Sequence, residues 1–264
     1  MKQRLITGMI AASGFLLLLY LGGFFYLAII FIMSLIGYVE FLKLNRFKLT
    51  SVASWIGMIG MICLVVPWPL TGWRFNMNSE QIVWFIMLGL MAATVLTRNK
   101  ITLQRVSVLL VGAVYVGFGF YSMLHIRLNE EQFGLLWAVF VFACIWATDS
   151  GAYLVGRKFG KTPLCPAISP KKTVEGAVGG LVFALLAASV FSLFYSDKFP
   201  YLTAAGLGIV IGCAAQAGDL IQSAYKRAAN IKDTGNLLPG HGGILDRCDS
   251  WIIVFPLIYF LLGG

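Results

Sequence analysis

Apolar residues run through the chain in long blocks that are separated by short polar segments. A membrane-spanning helix needs about 20 mostly apolar residues, and the first block, 5–42, contains 38. The Gly22-Gly23 pair in its middle predicts a tight turn between two spans. The other apolar blocks are 50–67, 81–97, 103–125, 133–155, 174–195, 200–222 and 250–263. The pattern therefore predicts an all-α, polytopic integral membrane protein with about nine transmembrane helices.

Composition supports this interpretation. Apolar residues make up 59% of the 264 residues and charged residues only 12%, whereas a soluble domain is about half apolar and about a quarter charged. The last block is short and carries Pro256. The 200–222 block ends in polar residues, so we expect the helix of that block to extend beyond the bilayer. The five cysteines show no CxxC spacing and are interpreted as buried small apolar residues.

The basic residues indicate the orientation. On a nine-helix topology, 17 of the 20 Lys and Arg residues fall on the side of the N-terminus, and only Arg74, Arg127 and Lys198 fall on the other. The positive-inside rule then predicts a cytoplasmic N-terminus in a multi-pass protein of the cell (inner) membrane. Topology and anionic lipid headgroups account for the net charge of +9, so no nucleic-acid partner is predicted.

The polar residues divide the chain into two regions. Residues 1–132 form an N-terminal membrane-spanning region with plain loops, in which Glu40 is predicted to pair with Lys43 on a helix surface. Residues 133–264 form a C-terminal membrane-embedded catalytic region. Seven of the 11 acidic residues lie there; Asp197 falls in an outer loop, and the other six lie in or next to the predicted cytoplasmic loops: Asp149, Glu175, Asp219, Asp233, Asp246 and Asp249. Ionisable groups at membrane depth are costly and usually face a cavity or each other.

The segment 218–249 is the richest in polar residues. Its Asp219, Ser223, Lys226 and Arg227 are spaced i, i+4, i+7 and i+8, which places them on one face of a helix. Lys and Arg bind phosphate oxygens, and Arg can do so through two parallel hydrogen bonds. Each cation alone is also typical of an ordinary cytoplasmic loop, but the whole set favours a phosphate site.

The same segment contains a glycine-rich turn and a pair of acids. Residues 239–243 must form a turn, whose glycines let backbone N–H groups approach a ligand closely. Asp246 and Asp249, three apart, are expected to open the last helix and to present two carboxylates on one side. Hard oxygen ligands of this kind suit Mg²⁺, which usually keeps waters and shares phosphate oxygens.

A second polar cluster follows Asp149, an acid inside a strongly apolar span. Its loop offers hydroxyls and cations to a polyphosphate, at Ser169, Lys171, Lys172 and Thr173. Thr173 is also expected to cap the next helix, and Glu175 to complement that helix's N-terminal dipole. A basic cytoplasmic loop with a helix cap is the alternative interpretation.

These two clusters together resemble the phosphatidate cytidylyltransferase (CDP-diacylglycerol synthase) family. The matching pieces in residues 218–249 are Ser223, Lys226-Arg227, Lys232-Asp233, His241-Gly242-Gly243 and Asp246-Arg247-Cys248-Asp249, in that order. The upstream pieces are the Asp149-Ser-Gly-Ala-Tyr and Ser169-Pro-Lys-Lys-Thr-x-Glu175-Gly sequences. The resemblance covers residues 145–264 closely and the N-terminal spans only in general character.

The resemblance implies that CTP and phosphatidate react to give CDP-diacylglycerol and pyrophosphate in phospholipid biosynthesis. It also implies Mg²⁺, one cation or two, a homodimer, and a metal site built from Asp219 and Asp246, with Asp249 as the next candidate. Lys226 and Arg227 would hold phosphates. The catalytic pocket would be completed by Ser223, Lys232, Asp233, His241 and Arg247. Substrate contacts would come from Asp149, Ser169, Lys171, Lys172, Thr173, Glu175, Gly242 and Gly243.

Two rivals remain open at this point. A CTP-dependent polyprenol kinase would transfer the γ-phosphoryl group to an alcohol and release CDP. A cation-coupled transporter would bind its ion at Asp149 and Asp219 and should contain internal repeats, which the sequence lacks. In the enzyme interpretation CTP reaches a cytoplasmic site while the lipid's acyl chains stay among membrane lipids.

Overall fold

The computed structural model describes residues 2–68, 77–128, 133–235 and 242–263, with side chains from residue 8 onward. The helices of the N-terminal region are α1 Lys2–Leu21, α2 Gly23–Leu44, α3 Val52–Val65, α4 Ser79–Leu96 and α5 Leu103–Leu128. The later elements are α6 Gly134–Phe159, β1 Pro163–Cys165, β2 Ser169–Thr173, α7 Val174–Phe194, α8 Tyr201–Ala228, α9 Leu245–Cys248 and α10 Trp251–Leu261. The predicted all-α, membrane-type architecture is confirmed.

The turn at Gly22 divides the long first block into α1 and α2, as predicted. Gly22 has a φ of 64°, a left-handed conformation that glycine adopts without strain. The Arg127 guanidinium donates to the carbonyls of Leu19 and Tyr20 at 2.8 and 3.1 Å, and a Cβ on Gly22 would collide with it. Arg127 therefore satisfies carbonyls at the end of α1.

Within the described residues, six helices are long and apolar enough to cross a membrane: α2, α4, α5, α6, α7 and α8. Three shorter apolar helices, Gly8–Leu21, Val52–Val65 and Trp251–Leu261, lie where the other spans are predicted. The count of nine spans and the cytoplasmic N-terminus stay predictions. The 28 residues of α8 extend about 42 Å at 1.5 Å per residue, which exceeds a hydrocarbon core of about 30 Å.

The loop after α6 contains a β-hairpin that the sequence pattern did not predict. Strands β1 and β2 are antiparallel, with Pro163 opposite Thr173 and Cys165 opposite Ser169. Successive residues of a strand point to opposite faces, so Lys171 is exposed while Lys172 is partly buried. The two adjacent lysines, which the sequence does not distinguish, therefore lie on opposite faces of the hairpin.

The chain forms two compact units, which we call unit 1 (1–132 and 233–247) and unit 2 (133–232 and 248–264). In unit 1, glycines allow close helix packing: Gly112 of α5 faces the Phe41 ring, and Gly60 of α3 faces Ile86. In unit 2, a Cβ on Gly180 of α7 would lie 3.0 Å from the Thr148 carbonyl. The predicted division at 132/133 into two functional regions stays a prediction.

Candidate active site

The polar end of α8 has the helical geometry that the spacing predicts. The helix continues to Ala228, and the Ser223 hydroxyl donates to Asp219 Oδ1 at 3.4 Å, one turn away. Asp219, Ser223 and Lys226 are partly buried, whereas Arg227 is exposed. This face of α8 forms one wall of a group of charged side chains within unit 2.

The β-hairpin brings a lysine to this wall. Lys172 Nζ lies 2.6 Å from Asp219 Oδ2, although the two residues are 47 positions apart in the sequence. The Arg227 guanidinium donates to the Ile168 carbonyl at 3.2 Å, in the turn of the same hairpin. The loop and the helix that were each predicted to hold phosphates therefore meet within unit 2.

Asp249 approaches the same wall from the turn before α10. A Cβ on Gly218 would lie 2.6 Å from the Asp249 carbonyl oxygen, so a glycine is required for this close approach. The Ser250 hydroxyl donates to the Ala215 carbonyl of α8 at 3.0 Å, and the Ser250 N–H donates to Asp249 Oδ1 at 2.8 Å. These contacts hold the Asp249 turn against α8 beside Asp219.

Burial and charges from α6 and α8 act on the Asp249 carboxyl. Burial, and next the Asp219 carboxylate, raise the pKa of Asp249 to about 7. The Ser250 N–H and the Lys226 ammonium lower it, and Asp149 adds a further rise. Three carboxylates and two ammonium groups, from α6, the hairpin, α8 and the turn before α10, therefore form one cluster, which we call the unit 2 cluster: Asp149, Lys172, Asp219, Lys226 and Asp249.

Thr173 and Glu175, two of the predicted substrate residues, fix the end of the hairpin that adjoins α7. The Thr173 hydroxyl accepts from the Gly176 N–H at 3.2 Å, so the predicted cap of α7 is confirmed. Glu175 accepts from the Lys161 N–H at 3.1 Å and from the Thr162 N–H at 3.2 Å. Their contacts in the structure hold the loop in shape; their contact with substrate stays a prediction.

Asp246 lies in unit 1 and is buried, with 9% of its surface exposed. Its Oδ2 accepts from the Thr234 N–H at 2.7 Å, the Thr234 hydroxyl at 3.0 Å and the Gly243 N–H at 2.9 Å. The Gly243 N–H is thus used within the loop. The expectation that Asp246 and Asp249 open one helix is wrong, because Asp246 lies in α9 and α9 ends at Cys248.

Sequence analysis missed Glu40. It was predicted to pair with Lys43 on a helix surface, but Glu40 is 5% exposed while Lys43 is exposed, so that prediction is wrong. Its carboxylate accepts from the Ile244 and Leu245 N–H groups at 3.0 and 2.9 Å. The available signal was an acid inside an otherwise apolar run, which the nearby lysine seemed to explain.

Gln222 was also missed. It lies on α8 three residues after Asp219 and four before Lys226, on the same helix face, and is 1% exposed. Among the described residues, neither its amide nitrogen nor its amide oxygen has a hydrogen-bond partner. A buried polar group without a partner is unfavourable, and a glutamine gives no charge signal in a sequence.

The remaining predicted residues have simpler surroundings. Lys232 and Asp233 are exposed in the loop after α8, and Arg247 is exposed in α9. Ser169 begins β2. Gly242 has a φ of 79°. His241, with residues 239 and 240 of the predicted turn, lies outside the described residues.

The donor chemistry of the unit 2 cluster fits a hard divalent cation. No three His, Cys, Asp or Glu side chains in the part of the chain that the structure describes are grouped closely enough to form a complete metal site. Mg²⁺ needs only one or two carboxylates, with waters and substrate phosphates as further ligands. Burial first, and then the nearby Asp219 carboxylate, raise the pKa of Asp249, and a cation bound beside such carboxylates favours their charged forms.

Known proteins resemble this chain over nearly its whole length. The cytidylyltransferase family model matches residues 2–263. The phosphatidate cytidylyltransferase of Bacillus subtilis is 40% identical over 264 residues, which cover 100% of this chain and 98% of that protein. Proteins of the same name from Staphylococcus saprophyticus and Staphylococcus aureus strain COL are 35% and 36% identical, and each match covers 99% of both chains. Because the matches span nearly its whole length, this chain belongs to the cytidylyltransferase family.

Proposed function

We propose that this protein transfers the cytidylyl group of CTP to phosphatidate, which gives CDP-diacylglycerol and pyrophosphate in phospholipid biosynthesis. The observation that carries the proposal is the full-length identity of 40% to a protein named phosphatidate cytidylyltransferase. The unit 2 cluster supports it, because carboxylates and cations meet there at the polar end of a helix long enough to span the membrane.

The main barrier to this reaction is electrostatic repulsion between the two anionic substrates, and proton transfer matters less. A phosphate oxygen of phosphatidate forms a bond to the α-phosphorus of CTP, the bond from that phosphorus to the bridging oxygen breaks, and pyrophosphate leaves with the electron pair. The attacking oxygen is already anionic, so no strong general base is needed. Fixed positive charges must bring two polyanions together and stabilise the charge on the leaving group.

The chain's own cations suit this task. Lys172 and Lys226 would contact the CTP phosphates, with Lys172 held in place by Asp219. Arg227 would bind phosphate with part of its guanidinium while its Nε holds the hairpin turn. The other catalytic and binding residues proposed from the family resemblance are Asp149, Ser169, Lys171, Thr173, Glu175, Ser223, Lys232, Asp233, His241, Gly242, Gly243 and Arg247.

We propose Mg²⁺ as the cofactor; the family resemblance implies Asp219, Asp246 and Asp249 as the residues that would hold it. When bound, the ion would supply positive charge to the α-phosphate and to the pyrophosphate. Asp246 is restrained for such a role, since the Thr234 and Gly243 N–H groups donate to its Oδ2 and the Thr234 hydroxyl lies 3.0 Å from that oxygen. The number of cations bound per protomer is to be measured by titration of the purified protein.

The membrane setting follows the charge asymmetry of the sequence. We propose a multi-pass protein of the cell (inner) membrane, with the site on the cytoplasmic side where CTP is available. The acyl chains of phosphatidate would remain among the membrane lipids. A homodimer is proposed from the family resemblance alone, and native mass spectrometry of the detergent-purified protein tests it.

The function is tested by following two labels of CTP with purified protein, phosphatidate and Mg²⁺ in detergent. We expect the α-³²P label in chloroform-soluble lipid and the γ-³²P label in pyrophosphate. A γ-label that enters the lipid, with release of CDP, would identify a lipid kinase instead. Substrate movement into vesicles without nucleotide consumption would identify a transporter.

A substitution at Gln222 is expected to change the melting temperature and kcat/KM in opposite directions, so it distinguishes a functional role from a stabilising one. The Gln222→Met change removes a buried amide without a partner in the described residues, so we expect the melting temperature in detergent to rise by about 2–4 °C. If substrate or its bound water satisfies that amide, kcat/KM should fall about tenfold.

The matched control is Gln216→Met on the same helix. The Gln216 amide donates to the Ala177 and Gly212 carbonyls at 3.2 and 3.3 Å, so this change should lower the melting temperature. Unchanged kcat/KM in Gln222→Met would show that neither substrate nor its bound water uses the Gln222 amide.

A further inference from the structure

Glu40 of α2 binds the loop that carries Asp246. Both residues belong to unit 1, although 205 positions separate Glu40 from Leu245 in the sequence. Glu40 Oε1 accepts from the Ile244 N–H at 3.0 Å, and Oε2 accepts from the Leu245 N–H at 2.9 Å. These are N–H groups at the start of α9, which have no acceptor within the helix itself. One carboxylate therefore caps the short helix on which Asp246 lies.

The loop is shaped around this carboxylate. A Cβ on Gly243 or on Gly235 would collide with the Glu40 oxygens, so a side chain at either position would displace the Glu40 carboxylate. One turn earlier on α2, Gly37 lies against the side chain of Leu245, which is 1% exposed. Helix α2 thus fixes the loop by close packing as well as by hydrogen bonds.

Thr234 connects Glu40 to Asp246. Its hydroxyl oxygen lies 3.2 Å from Glu40 Oε2 and 3.0 Å from Asp246 Oδ2. A hydroxyl has one proton and can donate it to only one of the two at a time. The Thr234 N–H donates to the same Asp246 oxygen at 2.7 Å. Thr234 therefore provides a second link between Glu40 and Asp246, in addition to the backbone of Ile244 and Leu245.

A purely packing role does not account for a carboxylate here. Burying a charged group is unfavourable unless it is well hydrogen-bonded, and an apolar side chain of similar volume often stabilises a protein as well or better. The arrangement of two backbone donors and one hydroxyl around Glu40 is selective for two acceptor oxygens. Through these hydrogen bonds Glu40 restrains the orientation of Asp246. A catalytic site requires its side chains to be held in one orientation.

We propose that Glu40 is a positioning residue for cytidylyl transfer: it holds Thr234 and the 243–245 backbone so that the Asp246 carboxylate keeps one orientation. This inference rests on the proposed role of Asp246 and extends the functional set to the N-terminal helices. Glu40 itself contacts neither substrate nor metal in the proposal.

The test is Glu40→Gln, which preserves size but replaces one acceptor oxygen by an NH₂ donor. That donor would face either the Ile244 or the Leu245 N–H. We expect kcat to fall about 10- to 100-fold while the KM for CTP stays within about twofold, because Asp246 is displaced but the phosphate-binding lysines are not. We also expect the Ile244 and Leu245 amides to exchange with deuterium about tenfold faster.

The control is Ser34→Ala on the same helix. Ser34 is 0% exposed and its hydroxyl donates locally to the Phe31 carbonyl at 2.7 Å, so kcat and amide exchange in the 243–245 segment should match the wild type. In a double-mutant cycle, Glu40→Gln should have little further effect on kcat once Asp246 is Asn, because Glu40 acts through Asp246.

Wild-type kcat and amide exchange in Glu40→Gln would overturn the inference, as would full additivity with Asp246→Asn. If Glu40→Gln does not fold, variants of Thr234 provide the test. Thr234→Ser should retain activity, and the activity of Thr234→Val should fall about tenfold. Equal activity of the two variants would overturn the inference. Failure of the proposed function is distinct, because the wild type itself would then form no labelled lipid.

Discussion

Replacing Asp219 by Asn is expected to lower the rate of CDP-diacylglycerol formation about 1,000-fold. The change removes one negative charge from the unit 2 cluster, where Asp219 holds the Lys172 ammonium at 2.6 Å and accepts from Ser223. Both the proposed cation and the proposed phosphate-binding lysine depend on that charge. Incorporation of α-³²P from CTP into lipid by purified protein measures the effect.

The matched control for this change is Asp197→Asn. Asp197 is an exposed acid in the loop between α7 and α8, so removal of its charge should leave the rate within about twofold of the wild type. A second readout is equilibrium binding of Mn²⁺, a spectroscopic substitute for Mg²⁺, which Asp219→Asn should weaken in the absence of CTP. Wild-type lipid labelling by Asp219→Asn would exclude Asp219 from the mechanism.

The second large effect is expected at Asp246, where two substitutions separate structure from chemistry. Asp246→Asn can keep a carbonyl oxygen at the Oδ2 position and so retain the three donors from Thr234 and Gly243, but it loses the negative charge. We expect its melting temperature to stay within about 2 °C of the wild type and its rate to fall at least about 100-fold.

Asp246→Ala removes both the charge and the acceptor. The Thr234 and Gly243 N–H groups then lose their partner inside a buried loop, so we expect the melting temperature to fall by roughly 5 °C or more in addition to the loss of rate. If Asp246→Asn retained wild-type activity, Asp246 would be a structural residue only and would not belong to the proposed metal site.

Much of the fold was predictable because a bilayer imposes simple rules on sequence. Helices must be long and apolar to cross it, so every predicted apolar block corresponds to a helix, and the Gly22-Gly23 turn lies where expected. The β-hairpin was not predictable from periodicity. Its strands have three and five residues, which is too short for a pattern of alternation to stand out.

The sequence indicated which polar residues are candidates for the site but not how they are arranged, and their functional roles stay predictions. Asp149, Lys172, Asp219, Lys226 and Asp249 were all identified from charge and spacing, but the sequence could not indicate that Lys172 rather than Lys171 pairs with Asp219. Strand alternation in the hairpin decides that choice. The pairing of Asp219 with Asp246, which belong to unit 2 and unit 1, stays a prediction.

Sequence alone determined the membrane class, the approximate helix boundaries and the chemical character of the site, because hydrophobicity and charge are properties of individual residues and of their spacing. Tertiary structure decided which polar groups are buried and what satisfies them. Glu40 seemed to have a partner in Lys43, three residues away, yet its partners are N–H groups about 200 positions later in the chain. Gln222 carries no charge and became visible only as a buried amide without a partner in the described residues. Burial and long-range hydrogen bonding depend on how distant segments pack, and a sequence pattern reports only on neighbours along the chain.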